Sequence, residues 1–569
     1  MHRLRKLKSF IPICLRKPLL MAYRRIFREP LTPNKDRFIR ENRAFWEQYK
    51  STGPCHGYIL VECKYDPVTL LSNISHAAIA AYSRQLTPLF MLWSRWDTTA
   101  KRIMESCPGA MFVYLDDPRY ADARKHTNLL ARKVYDALKC PEDLINFEMD
   151  GINFGNLVYD SVLYSRFATI RVIDEKVLEC LNEFFWYRFI ILDIIGRYAI
   201  KTSIFSQTYT GLLAGTFTRY LLNSEIEVLG HLGAHYVIFK KYQTLDDIGV
   251  LECQADPRYF ELMKKWPDDT VLNLADEYLD YRFGQRCVNI SVDVAFDHSK
   301  RLFESREEFC AHFGLDPAKK LVFVMLHSFN DWPRSLFGRP MIYRDYCDWF
   351  EKTLEIAKTE DSVNWVFKEH PSAELYPTAD LDLNAVFEKV RYPQIRFLNY
   401  KADFNAVSLK YIVDTIITCA GTAGLEYSCM GTPCVLAGPS AYSGLGFTIE
   451  PRNAAEYEAQ LRHLSDLGRL SKEQIKTAKL ALFFQYGIML NTTYPFCPDF
   501  DYSKIVENDP EFIWKEAADL MESGDRSEMH RQIQVLADFF NNRAWTQFVN
   551  LDKYPFLSGA IKEAKEEYQ

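Results

Sequence analysis

Three stretches of this chain carry residues whose types and spacing suit the binding of a phosphate and a ribose. Asn-Trp-Val-Phe-Lys-Glu-His-Pro (364–371) is an apolar run that delivers Lys368 and His370 at its end, with Pro371 fixing the turn. Cys-Ala-Gly-Thr-Ala-Gly-Leu-Glu (419–426) reads as a Gly-rich turn that opens a helix. Gly421 permits close backbone approach, Thr422 supplies a hydroxyl and an N-cap, and Gly424 allows tight helix packing. Backbone N–H groups at such a turn, with a helix dipole behind them, bind phosphate. Glu426 falls one helical turn after Thr422, whereas a capping-box glutamate follows its cap by three residues. A carboxylate that holds ribose hydroxyls fits that spacing better. The third stretch, 431–448, ends in Ser-Ala-Tyr-Ser-Gly-Leu-Gly-Phe-Thr; Gly438, Gly444 and Gly446 make a loop in which Tyr442 and Ser443 are donors to a ligand or members of a chain of turns.

For the reacting end there are candidates only. His327-Ser328-Phe329-Asn330-Asp331 closes an apolar run at 321–326, so His327 or Asp331 is placed for acid/base work or for orienting a sugar. Gln-Thr-Tyr-Thr-Gly (207–211) opens a helix carrying Arg219; Tyr209 and Arg219 are candidates for holding an acceptor or an acidic or phosphorylated sugar, with helix capping by Thr208 or Thr210 as the alternative for the loop. Asp380-Leu381-Asp382 is literally an Asp-x-Asp, but it lies in a polar stretch between strands and reads as a surface loop. No metal site is expected.

These groups need strands and helices to position them. Apolar runs at 57–62, 89–93, 110–115 and 202–205 alternate with helical stretches at 76–84, 129–138 and 177–195, which predicts a parallel sheet flanked by helices. A second unit starts afresh: strands at 321–326, 363–367, 395–398, 412–418 and 433–437, with helices at 343–358 and 424–430. Right-handed crossovers make that unit doubly wound. The expected division is a basic segment at 1–50, a Rossmann-like unit at 51–310, a second at 311–500, and helices at 501–569 that pack back on the first unit.

At 569 residues the chain is too long for one core, and 48% hydrophobic with 25% charged residues is a globular composition. A net charge of −6 gives no reason to expect a nucleic-acid partner. Residues 1–30 differ: nine Lys and Arg stand against Glu29 alone, interleaved with Phe10, Ile11, Leu15, Leu19 and Ile26. Such a segment lies on an anionic membrane face, packs on the body, or is a solvated leader. The most apolar run, 184–200, is broken by Arg188, Asp193 and Arg197 and reads as a buried helix. The 14 cysteines are scattered singly, which with no secretory signal suits a reduced cytoplasmic setting, peripheral to the membrane if the basic segment binds it.

Taken together, Lys368–Pro371, Gly421–Glu426 and the loop at 439–448 resemble the capsule polysaccharide biosynthesis family, which includes the retaining β-Kdo transferases of bacterial capsule assembly. The resemblance covers roughly residues 320–455. It implies a GT-B arrangement, α/β with two Rossmann-like doubly wound domains facing a cleft, and a metal-independent glycosyltransferase. Its substrates would be a nucleotide-sugar, of CMP-Kdo type or another, and a polysaccharide or lipid-linked acceptor, with no further cofactor. On that pattern His370 meets the donor phosphate and Glu426 the nucleotide ribose. The family's acidic Glu-Asp-Gly-Phe segment has no counterpart here, so its catalytic carboxylate is not carried over. A weaker resemblance to CDP-glycerol polymerases leaves polyol-phosphate transfer as the rival reaction, and a non-catalytic scaffold as the other rival.

Overall fold

The structure is a computed structural model that describes residues 31–50, 53–206, 210–231, 240–249, 260–261, 264, 269–284, 290–335, 341–488 and 511–542. The basic segment at 1–30 and Tyr209 lie outside the described residues.

The architecture is mixed α/β, built on two sheets. The first comprises β1 (Tyr58–Val61), β2 (Thr87–Leu92), β3 (Met111–Tyr114), β6 (Ile200–Ser206), β7 (Glu227–His231) and β8 (Lys240–Tyr242) in the order β3-β2-β1-β6-β7-β8. All its neighbours run parallel except the antiparallel pair β7–β8. A two-stranded hairpin, β4 (Glu148–Met149) and β5 (Ile152–Asn153), stands apart. The second sheet is β9 (Leu321–Met325), β10 (Asn364–Lys368), β11 (Ile395–Leu398), β12 (Thr415–Thr418) and β13 (Cys434–Leu436), all parallel, in the order β11-β10-β9-β12-β13. In both sheets the strand order reverses beside the first strand, at β1/β6 and at β9/β12. A crevice opens beyond the carboxyl ends of the strands at such a reversal.

The inner strands β1, β2, β9, β10 and β12 are buried on both faces, which is why they read as apolar runs. Period-two alternation divides β9 between two cores: Leu321 and Phe323 join one cluster, Val322 and Val324 the other. In the first sheet, Ile59 and Val61 pack with α1 (Pro33–Glu47) and α2 (Pro67–Arg84), while Leu60 faces α3 (Gly155–Leu163), α4 (Glu175–Arg197) and α5 (Leu212–Asn223). Helix α2 begins at Asp66, whose side chain caps the Thr69 N–H, with Pro67 at the first turn. Helix α6 (Asp269–Phe283) joins the cluster of the second sheet through Val271, Ala275, Leu279 and Phe283. That cluster also holds α8 (Ala423–Ser428) and α9 (Lys472–Leu482), while α7 (Tyr346–Thr359) covers the opposite face of the sheet. Two C-terminal helices, α10 (Glu511–Ser523) and α11 (Arg526–Asn541), return to the first sheet, where Trp514 packs on Phe38 with ring centroids 5.3 Å apart. Lys241 on β8 donates to the carbonyls of Phe539 and Asn542 at the end of α11, where a cation suits the helix dipole.

Two aspartates join the halves. Asp160 on α3 accepts the N–H of Arg334 at 3.0 Å, the N–H of Ser335 at 2.6 Å and the Ser335 hydroxyl at 2.7 Å. Asp345 caps α7 through the Asp348 N–H and also accepts the hydroxyls of Tyr159 and Thr169, each at 2.6 Å.

Candidate functional site

Three loops meet at the carboxyl ends of β9, β10 and β12, where the strand order places the crevice. His327 follows β9, and its Nε2 accepts the Ala420 N–H at 3.0 Å, with Thr418 Oγ1 3.2 Å away. The ring lies flat on Tyr346, 4.4 Å between centroids at 12°. An Nε2 that accepts from an amide places the proton of the neutral ring on Nδ1. Burial, with His370 nearby, pushes the imidazole down to about 3. His327, an acid/base candidate in the sequence, therefore holds the β12 turn in place with the lone pair that a general base would need.

That turn is clamped from both sides. The Gly421 N–H donates to Thr418 Oγ1 at 3.2 Å, and the Gly421 carbonyl accepts the Tyr442 hydroxyl at 2.6 Å. A Cβ on Gly421 would come within 2.8 Å of Thr418 Oγ1, so the close approach requires glycine. With Ala420 and Gly421 so engaged, the next two amides, of Thr422 and Ala423, donate to no acceptor among the described residues. Both residues are only half-buried, so these N–H groups can meet a ligand.

His370 enters from β10. Its Nδ1 accepts the Ser372 N–H at 3.1 Å and lies 3.2 Å from Ser328 Oγ on the β9 loop. The proton of the neutral ring is then on Nε2, as a donor. Burial, then the neighbouring Lys368 charge, pushes His370 down to about 4, so it is neutral near pH 7. Lys368 is itself buried and pushed down to about 8 by desolvation and by Lys300. Bound phosphate would favour the charged form of both groups.

Glu426 is 2% exposed, and its Oε1 lies 2.7 Å from Arg282 Nε on α6. Arg282 Nη2 also reaches Thr422 Oγ1 at 3.4 Å. The carboxylate thus already faces a guanidinium, and a ribose there would have to share it. Tyr442 is equally buried, and its hydroxyl is spent on Gly421; Ser443 accepts the Ser440 N–H at 2.8 Å. A Cβ on Gly424 would overlap the Tyr442 hydroxyl and stand 2.7 Å from Cys434 Sγ. Gly424→Ala is accordingly expected to destabilise the fold by about 1–3 kcal/mol, the usual cost of overpacking, measurable by urea unfolding; an unchanged midpoint would mean that the turn relaxes freely.

Asp331 stands on the same loop after β9 as His327 and Ser328, and its N–H donates to the Ser328 carbonyl at 3.0 Å. Burial pushes the Asp331 carboxyl up to about 6. Arg219 is not brought to this group: it is buried in α5, donates Nη1–H to the Gly215 carbonyl at 2.9 Å, and is pushed down to about 10 by burial, opposed by Asp160. Asp380 accepts the Ala168 N–H at 2.7 Å, and Asp382 caps the short helix Leu383–Glu388, so each has a structural partner. Among the described residues no group of three or more His, Cys, Asp or Glu is placed to hold a metal ion.

Sequence reasoning missed Arg282, Asp160 and Asp345. Asp160 leaves a trace, a lone acid in the apolar helix Gly155–Leu163; Asp345 stands at a capping position before an amphipathic run. Arg282 leaves none.

The sequence matches no family profile, and no curated protein matches it. Among solved structures, the chain is similar to Thermosulfurimonas dismutans KpsC, a beta Kdo 2,4 transferase, at 13% identity over 49% of this chain and 87% of that one, with a TM-score of 0.30. It is also similar to the UDP-GlcNAc 2-epimerase from Neisseria meningitidis bound to UDP-GlcNAc, at 7% identity over 82% and 98% of the two chains, with a TM-score of 0.22. A third is the wall teichoic acid polymerase TagF, at 9% identity over 87% and 95%, with a TM-score of 0.19.

Proposed function

We propose that this chain is a glycosyltransferase of GT-B arrangement. It holds a nucleotide-activated sugar at the crevice of the second sheet and passes the sugar to a polysaccharide or lipid-linked acceptor of a bacterial surface. One observation carries the reading: donors with no acceptor among the described residues, the Nε2–H of His370 and the amides of Thr422 and Ala423, stand on the loops after β10 and β12, beside the β9/β12 strand reversal. Such a set suits a diphosphate or monophosphate leaving group, whose developing charge fixed dipoles stabilise. Lys368 adds a cation nearby.

The Asp331 side of the crevice would receive the acceptor. Peripheral membrane attachment through residues 1–30 remains part of the proposal; no helix among the described residues is long and apolar enough to cross a membrane.

Thermal unfolding with CMP, CDP, UDP and their sugar conjugates tests the donor half. A ligand at a hundred times its Kd stabilises the folded state by about 2.7 kcal/mol. One nucleotide class should raise Tm in the wild type, and His370→Ala should lose most of that rise while its own Tm without nucleotide changes little. A panel without any shift, or an equal shift in His370→Ala, would overturn the assignment.

A further inference from the structure

We infer that Tyr164 and Trp332 form a stacking platform for a pyranose ring of the acceptor saccharide, with Asp331 beside it to take a hydrogen bond from a sugar hydroxyl. This inference rests on the transferase reading and names the class of its second substrate. Tyr164 lies on the loop after α3, and Trp332 on the loop after β9, so the pair spans the two halves; their centroids are 5.4 Å apart at 31°. Tyr164 is 55% exposed. Exposure alone does not single out Tyr164, since Tyr411 is 52% exposed; its stacking on a tryptophan next to Asp331 does.

Both loops that carry the pair contain a residue in the left-handed region. Trp332 has φ +53° and Arg166, two residues beyond Tyr164, has φ +85°, left-handed conformations that cost free energy in residues with a side chain. A facing loop ties down the Arg166 turn: the Ala379 N–H donates to the Arg166 carbonyl at 2.8 Å, and the Ala168 N–H to Asp380 Oδ1 at 2.7 Å. Both partners belong to the loop that leaves His370, so the aromatic pair and the donor crevice are fixed to one another.

Asp331 completes the chemistry. No described residue donates a hydrogen bond to its carboxylate, although Tyr164 and Tyr376 both feel its charge. Saccharide binding uses an aromatic face for the apolar C–H side of the ring and a few fixed polar groups for its hydroxyls. A purely structural role, gluing the halves together, accounts for Trp332, which also packs on the apolar cluster of the first half. It does not account for the exposed ring of Tyr164 or for the Asp331 carboxylate.

Saturation-transfer NMR on the full chain, with chitotetraose, cellotetraose and maltotetraose as probes, tests the platform. Saturation should concentrate on ring C–H protons of at least one probe in the wild type. Tyr164→Ala, a surface change, should weaken that probe about tenfold, as should Asp331→Asn. No saturation with any probe, or equal affinity in Tyr164→Ala, would overturn the platform. The nucleotide shift measured on the same samples separates the two readings. An intact shift without saccharide binding removes the platform alone. Saccharide binding without any nucleotide shift keeps the platform and removes the donor site.

Discussion

Glu426→Ala is expected to lower stability by about 3–5 kcal/mol, the cost of breaking a buried ion pair by removing one partner. The side chains of Glu426 and Arg282 are 3% and 11% exposed, and the pair sits in the cluster of Phe283, Tyr427 and Tyr442. Alanine takes away the carboxylate that this guanidinium faces at 2.7 Å and puts nothing in its place. Removing both charges is a different experiment. Apolar pairs of similar volume often replace buried ion pairs without loss, so Arg282→Met combined with Glu426→Leu should recover most of the stability. Urea unfolding of the two single variants and the double reads this directly; a Glu426→Ala variant within about 0.5 kcal/mol of wild type would put the pair among surface contacts of no consequence. The functional consequence is practical. Lost activity in Glu426→Ala does not by itself demonstrate a ribose contact, whereas lost nucleotide affinity in a stable double variant assigns a ligand contact to the Glu426–Arg282 pair.

The strands that position the site are legible in sequence because they are buried on both faces. The apolar runs at 321–326, 363–367 and 395–398 fall within a residue of β9, β10 and β11. β7 and β8 are not legible in the same way. Glu-Val-Leu-Gly-His has a glycine and two polar ends, and Lys-Lys-Tyr, with no apolar run, is a strand through its antiparallel pairing with β7. The same limit governs the site. The residue types at 327, 370, 421 and 442 announce polar chemistry, but orientation decides their work. His327 spends its lone pair on Ala420, and Tyr442 spends its hydroxyl on Gly421, whereas His370 is turned so that Nε2–H remains available. Arg282 lies 140 positions before Thr422, and no local pattern announces such a contact. The aromatic pair is hidden for the same reason, since Tyr164 and Trp332 meet only when the halves do.

How the halves meet depends most on Asp160, and Asp160→Ala is expected to cost about 3 kcal/mol or more, because it strips three buried donors of their acceptor. Those donors, the Arg334 and Ser335 amides and the Ser335 hydroxyl, stand two and three residues beyond Trp332. The variant should therefore loosen the platform as well as the fold, and unfolding should separate toward two transitions as the halves uncouple. A single transition with an unchanged midpoint would show that Asp345, with Tyr159 and Thr169, suffices to hold them. Protonation adds a second signature. Burial pushes the Asp160 carboxyl up to about 7, despite the hydrogen bonds and the Arg334 charge that oppose the shift. A carboxyl raised in the folded state contributes stability that is fully present below its ordinary range of about 3.9 and is lost as pH rises through the folded value. The advantage of wild type over Asp160→Asn should then shrink between about pH 4 and pH 7. An advantage that stays constant across that window would mean that the amides already stabilise the ionised form, with the clamp acting as a fixed anion.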